Sequence, residues 1–262
     1  MVDIAYLMPG AGLDVVDSDR RERITTEMDR REGIANELTP PHVDVTVEKA
    51  IGPGPSSIES AVEEEWCTVG LMKGAWRIHE DYDAIVIGCF GDPGIDALRE
   101  LVDIPVVGPA ETTIRTAAQI ADRFTWLTIL EELESASWKQ AHEHHLAQKC
   151  TSVRSVDAPV LEIDHEDNAL VERMVETGKT AVEEDGAQAL FPGCMSLSFM
   201  QVHDEIEQRV GVPFLDPATL ALEQADSWAR HGVAQSKDAY PAPKFDKLDM
   251  LLGGAEPAPA DD

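Results

Sequence analysis

Two cysteines, Cys89 and Cys194, stand at the ends of short apolar runs that resemble each other. One run reads Ala84-Ile85-Val86-Ile87-Gly88-Cys89 and the other Ala189-Leu190-Phe191-Pro192-Gly193-Cys194. A single cysteine after an apolar strand is ordinarily a packing residue, because free Cys is among the most buried residue types. The same Gly-Cys pair in a second, similar run changes that reading. In an open α/β sheet the carboxyl ends of the strands face the ligand, and a glycine lets the backbone approach it closely. Helices are expected to follow, and their free N–H groups would draw a thiol from about 8.5 toward neutrality. Two thiols facing one cleft suit proton transfer at a single carbon.

The surrounding elements repeat as well. Ile4 to Met8 reads as a buried strand, Ser18 to Leu38 as a helix stopped by Pro40-Pro41, and His42 to Val47 as a strand. Ser56 and Glu59 match a capping box, predicting a helix from there toward His79 and then the strand that delivers Cys89. The second round runs through strands at 104–107, 124–130, 152–156, 189–191 and 212–215, with helices at 110–122, 135–148, 168–185, 196–210 and 217–231. Ile104 to Ala110 matches Val212 to Ala218 in pattern. Cys89 and Cys194 are 105 residues apart (194 − 89), and Pro109 and Pro217 are 108 apart (217 − 109). The near-constant offset predicts an α/β fold of two similar Rossmann-like halves. Each has a parallel sheet, and a pseudo-twofold axis relates them across an active-site cleft. The halves are assigned to 1–115, completed by 215–235, and to 116–214. The segment 236–262 forms a Pro- and Ala-rich tail whose end is expected to be mobile, while Phe245 to Leu252 would pack on a neighbour.

Composition narrows the partners. Fifty Asp and Glu against 21 Lys and Arg give a formal charge of −29, which repels nucleic acid phosphates and anionic lipid. Acid spread along the whole chain, with Arg outnumbering Lys, fits a salt-rich cytoplasm. At about 1 M salt the Debye length is roughly 3 Å, so self-repulsion is screened. Four cysteines are too few for a disulfide scaffold and lack metal-binding spacing. No apolar run is long enough to span a membrane, and the amino terminus lacks a signal pattern. The expectation is a soluble, cytoplasmic, halophilic protein.

Three segments in order carry a resemblance: Gly54-Pro55-Ser56-Ser57-Ile58-Glu59-Ser60, Gly88-Cys89-Phe90-Gly91-Asp92-Pro93-Gly94 and Gly193-Cys194-Met195. The chain resembles the aspartate/glutamate/hydantoin racemases, and within them the hydantoin and allantoin racemases, over about residues 51–216. The resemblance implies 1,1-proton transfer without cofactor or metal, on a small-molecule substrate, by a homo-oligomer. Cys89 and Cys194 would be the acid/base pair, each serving as thiolate in one direction and thiol in the other. Charge on the carbanion would be met by backbone N–H groups of Phe90, Gly91, Met195 and Ser196, with the Ser196 hydroxyl. Pro9 and Gly10 on the first loop, and Thr128 and Glu131 on the corresponding loop of the second half, would contact substrate. One departure stands out. The subgroup's Asn-x-Asn-Ser/Thr loop is replaced by Met8-Pro9-Gly10-Ala11-Gly12, which leaves substrate identity open.

Rival functions are an amino acid racemase, a maleate-type isomerase with a nucleophilic Cys, a malonate decarboxylase needing one thiol, and a non-catalytic binding protein on the same scaffold. Other polar clusters read as ordinary surface. On one helix, His142 and His145 would share a face that His144 leaves, without a fourth metal ligand. His203 reads as a surface or capping residue and Glu63-Glu64-Glu65 as solvated. Cys67 and Cys150 read as packing residues.

Overall fold

The computed structural model describes residues 1–165 and 167–253. Strands β1 (Val2–Met8), β2 (Val43–Lys49), β3 (Ala84–Ile87) and β4 (Val106–Val107) form one parallel sheet in the order β2-β1-β3-β4. Strands β5 (Phe124–Thr128), β6 (Cys150–Ser155) and β7 (Ala189–Pro192) form the other, also parallel, in the order β6-β5-β7. The expected strand at 212–215 is reduced to one parallel bridge between Leu190 and Phe214, at the place β4 holds in the first sheet.

The register makes the repeat quantitative. Leu7 lies opposite Ile87 and Leu127 opposite Pro192. The N–H of Gly88 donates to the Leu7 carbonyl at 2.8 Å, and that of Gly193 to the Leu127 carbonyl at 2.7 Å. Leu7 and Leu127, Tyr6 and Trp126, and the two Gly-Cys pairs are therefore equivalent positions.

Ten helices complete the described chain: α1 (Ser18–Leu38), α2 (Ala61–Ile78), α3 (Ile95–Leu101), α4 (Pro109–Ile120), α5 (Glu134–Glu143), α6 (Asn168–Glu184), α7 (Met195–Ser198), α8 (His203–Val210), α9 (Pro217–His231) and α10 (Asp249–Leu252). Alternation along the strands decides which helices pack where. Ile4, Tyr6, Phe124 and Trp126 face a core between the sheets, shared with Ala110, Ile114 and Ala117 of α4 and Ala218, Ala221 and Leu222 of α9. Ala5 and Leu7 point the other way, onto Cys67, Leu71 and Ala75 of α2. Leu127 and Ile129 likewise face Leu170, Val171 and Met174 of α6. Each sheet thus buries one face outward and one toward its counterpart. The carboxyl ends of β3 and β7 open on the same side. Among the described residues, no helix is long and apolar enough to cross a membrane.

Several boundaries differ from expectation for identifiable reasons. Helix α2 starts one turn late. Ser60, not Ser56, accepts from the Glu63 N–H at 3.4 Å, while the Glu63 carboxylate reaches back to the Glu59 N–H at 2.8 Å. Pro53 and Pro55 keep the preceding stretch out of the helix, and it becomes cavity wall. The helix expected over 196–210 breaks into α7 and α8 because Gln201 adopts φ +57°. Helix α5 ends at Glu143, with His145 at φ +58°, so the histidines of that stretch do not share one helical face. Phe245 packs on Trp76 of its own α2, at 4.9 Å between ring centroids, and Leu248 and Leu252 join the same core, rather than reaching a neighbour. The tail end expected to be mobile, 254–262, lies outside the described residues.

Candidate active site

Between the two sheets a cavity of about 950 Å³ is lined by both cysteines, with Gly88, Phe90 and Gly91 on one side and Gly193, Met195 and Ser196 on the other. Both thiols are free and half-buried. Each sits where its glycine could not be replaced without collision. A methyl on Gly88 would lie 2.9 Å from both the Leu7 carbonyl oxygen and the Tyr6 ring, and one on Gly193 would overlap the Trp126 indole nitrogen. Equivalent aromatic rings on β1 and β5 therefore fix the two Gly-Cys turns.

Beyond the glycines the halves diverge. Cys194 is the N-cap of α7, whose first amides have no partner inside the helix. Burial pushes its pKa up, but the Ser196 and Leu197 N–H groups, the Arg31 charge and the Ser196 hydroxyl all favour the thiolate. Arg31 is only 7% exposed; its guanidinium donates to Ser196 Oγ at 2.9 Å and to Glu27 at 2.6 Å. Cys89 has a longer loop before α3. Burial drives its pKa well up, the Gly91 N–H alone opposes this, and Cys67, Cys194 and Glu64 add to the rise. The lowering toward neutrality expected from helix amides is outweighed at both thiols by desolvation.

Neighbouring loops are tied to the opposite helix ends. Asp92, at φ +52°, accepts from the N–H groups of Ala110 and Glu111 at 3.1 and 2.8 Å, pinning the Cys89 loop to α4. In the second half Ser198 Oγ accepts from the Ala218 N–H at 3.1 Å and donates to Asp216. Gln140 of α5 donates to the Gly91 carbonyl at 3.1 Å, and Glu59 accepts from the Val160 N–H at 2.7 Å, so each half helps wall the other's cysteine.

Of the residues singled out from sequence, Cys89, Cys194, Phe90, Gly91, Met195, Ser196, Pro9, Gly10 and Thr128 all line this cavity. Glu131 does not: it opens an exposed 3-10 turn outside the wall. The Phe90 side chain is 1% exposed and packs edge-on against Trp126, at 5.0 Å between centroids, which leaves its backbone for the ligand. The Gly91 and Ser196 N–H groups are engaged by the sulfurs.

Three polar groups of residues were missed. Glu64 and Glu65, read as solvated surface, line the cavity together with Glu143. Burial and those two neighbours raise the Glu64 pKa. Arg20, Arg23 and Arg31 of α1 and Lys49 at the end of β2 form another wall. Trp126 is the third, its indole N–H buried without a partner. Cys67 and Cys150 are buried in the outer and inner cores, and burial pushes both thiols up to about 12, so neither competes as a base. Among the described residues no group of three or more His, Cys, Asp or Glu is placed to hold a metal.

The fold and this paired-cysteine cavity define an α/β enzyme site between two pseudo-equivalent halves. A family model described as Asp/Glu/Hydantoin racemase matches residues 24–225. The hydantoin racemase of Paenarthrobacter aurescens is 32% identical over 203 residues, covering 76% of this chain and 85% of that one. That of Pseudomonas sp. (strain NS671) is 32% identical over 185 residues, covering 70% and 74%. Among solved structures, allantoin racemase from Klebsiella pneumoniae superposes with a TM-score of 0.81 at 26% identity, covering 93% of this chain and 94% of that one. The chain belongs to the Asp/Glu/hydantoin racemase family and is an enzyme of the isomerase class.

Proposed function

We propose that this enzyme racemises a hydantoin, allantoin or related small molecule with Cys89 and Cys194 as a cofactor-independent acid/base pair. The observation that carries the reading is the pair of register-equivalent Gly-Cys turns opening into one cavity. A substrate carbon between the sulfurs loses its proton to one thiolate, and the electron pair of the C–H bond moves into the adjacent carbonyl. The opposite thiol then gives its proton to the other face, leaving a thiolate there and an inverted centre. Net charge is unchanged; only the place of the thiolate has moved. Backbone amides of Phe90 and Met195 stand by to receive charge on the carbonyl oxygen. Of the two thiols Cys194 gives up its proton more readily, because Arg31 and the α7 amides support its thiolate whereas the Gly91 N–H supports that of Cys89.

The test follows one enantiomer of a 5-substituted hydantoin in deuterium oxide, reading optical rotation and deuterium at the stereogenic carbon. Loss of rotation with incorporation of one deuterium supports the reading. Racemisation at the parental rate by both Cys89→Ala and Cys194→Ala sinks it.

We also infer that the enzyme works as a homo-oligomer in a salt-rich cytoplasm, the −29 charge supporting the second part. Sedimentation and circular dichroism from molar to millimolar KCl test the two parts. Ellipticity should fall as salt is withdrawn, and a flat response discards the salt adaptation.

A further inference from the structure

The polar lining of the cavity gathers charge in two places, with Lys139 of α5 the one basic residue on the acidic side. Glu64 is raised by its neighbours Glu65 and Glu143, three carboxylates on α2 and α5 that face each other. Opposite in sign are Arg20, Arg23, Arg31 and Lys49, four of the 21 basic residues in a strongly acidic chain, gathered on one wall. Glu27, the acid on that wall, is consumed. Arg30 and Arg31 bond it at 2.8 and 2.6 Å and His165 lies at 3.4 Å, which together hold its pKa well below the usual range against the effect of burial. Among the described residues, Arg20, Arg23 and Lys49 form no salt bridge.

Lys49 is the most informative of these. Its ammonium is half-buried and donates to the Pro9 carbonyl, and a methyl on Gly10 would lie 3.2 Å from Nζ. It therefore stands at the Pro9-Gly10 loop, on the edge of the cavity. Burial, then Arg31 and Arg20, push its pKa down to about 7, the mark of a cation lacking a counter-charge. An ammonium beside a guanidinium suits a carboxylate, through charge-assisted bonds.

We propose that the substrate bears a carboxylate on the substituent of its stereogenic carbon, and that Lys49 and Arg20 bind it at the Pro9-Gly10 edge of the cavity. This rests on the racemase reading for the position of the reacting carbon but is tested by binding alone. Two ring-matched probes, hydantoin-5-acetic acid and hydantoin-5-acetamide, and a ring-free pair, succinate and succinamide, are titrated calorimetrically. The full-length protein is used at the lowest KCl that keeps it folded. The carboxylate member of at least one pair should bind tenfold or more tightly than its amide. That preference should shrink below threefold in Lys49→Met and largely persist in Lys49→Arg, with circular dichroism confirming that both variants are folded. Should Lys49→Met not fold, Arg20→Met carries the same test, with partial loss expected. Absence of a carboxylate preference in both pairs, or one undiminished in Lys49→Met and Arg20→Met alike, overturns the proposal. Selective binding without racemisation of either hydantoin probe would count against the racemase reading and leave the carboxylate site at Lys49 standing.

Discussion

The two halves share backbone register down to the residue but differ in what surrounds their thiols. Cys194 caps α7 directly and has a buried arginine at hand through Ser196. Cys89 is followed by a loop, has one amide at its sulfur, and faces Glu64 and Cys67. A symmetric backbone thus carries an asymmetric electrostatic field. Duplication supplies two thiol positions, while side chains from α1 and α2 make Cys194 the easier of the two to ionise. On the proposed mechanism each thiol must serve in both states, so this asymmetry favours the enantiomer whose proton faces Cys194.

Removing either sulfur tests that division most severely. Cys89→Ala and Cys194→Ala should each lower racemisation by on the order of 10²–10⁴-fold. The remaining thiol can still exchange the proton on its own face without inversion. Nuclear magnetic resonance in deuterium oxide should therefore show each variant labelling a different enantiomer with retention. Labelling of the same enantiomer by both variants would mean the sulfurs do not flank one carbon.

The glycines come next. Gly193→Ala drives a methyl into the Trp126 indole, whereas Gly88→Ala meets the Tyr6 ring and the Leu7 carbonyl at 2.9 Å. Both overpack a closed core, where costs run about 1–3 kcal/mol and occasionally more. Gly193→Ala should reach or pass the upper end and Gly88→Ala fall below it, as read by chemical denaturation in high salt. Equal costs would indicate that the second half yields as easily as the first.

Much of this frame was legible in the chain itself. Gly88-Cys89 and Gly193-Cys194 announce themselves because a strand end, a glycine and a thiol recur at a fixed offset, and apolar periodicity locates α1 and α9 to the residue. What escaped was polar. Glu64 and Arg31 sit in charged helical stretches, and a side chain lining a wet cavity has the same local pattern as one facing bulk solvent. Lys49 ends a strand whose alternation says nothing about the neighbouring loop. Glu131 was misplaced for the converse reason: proximity in sequence to Thr128 does not survive the turn that follows β5. The capping box at Ser56 failed because two prolines, invisible to the box pattern, keep that stretch non-helical.

Smaller effects sharpen the electrostatic contrast. Arg31 lowers the Cys194 pKa, so Arg31→Met should raise it, and the acidic limb of the pH–rate profile should move to higher pH. Glu64 raises the Cys89 pKa, so Glu64→Gln should lower it and move the limb governed by Cys89 to lower pH. At a pH below the pKa, about 1.4 kcal/mol of added or lost support for the thiolate changes its population roughly tenfold. Limbs that move in the same direction in the two variants would contradict the assignment of opposite fields to the two halves.

The smallest expected difference separates the equivalent helices α2 and α6, which lead into the two cysteine strands. Asp167 caps α6, accepting from the Ala169 N–H at 2.8 Å, and its charge also meets the positive end of the helix dipole. Ser60 caps α2 through a longer bond of 3.4 Å and donates its own hydroxyl to Glu63. Asp167→Ala should therefore cost about 1 kcal/mol or more and Ser60→Ala about 0.5 kcal/mol, the low end of cap deletions. Molar salt would narrow the gap by screening the dipole part, leaving the hydrogen-bond part behind. Denaturant midpoints for both variants at two salt concentrations measure that split. A larger cost for Ser60→Ala would place the firmer helix start in the first half, reversing the order the cap geometry assigns.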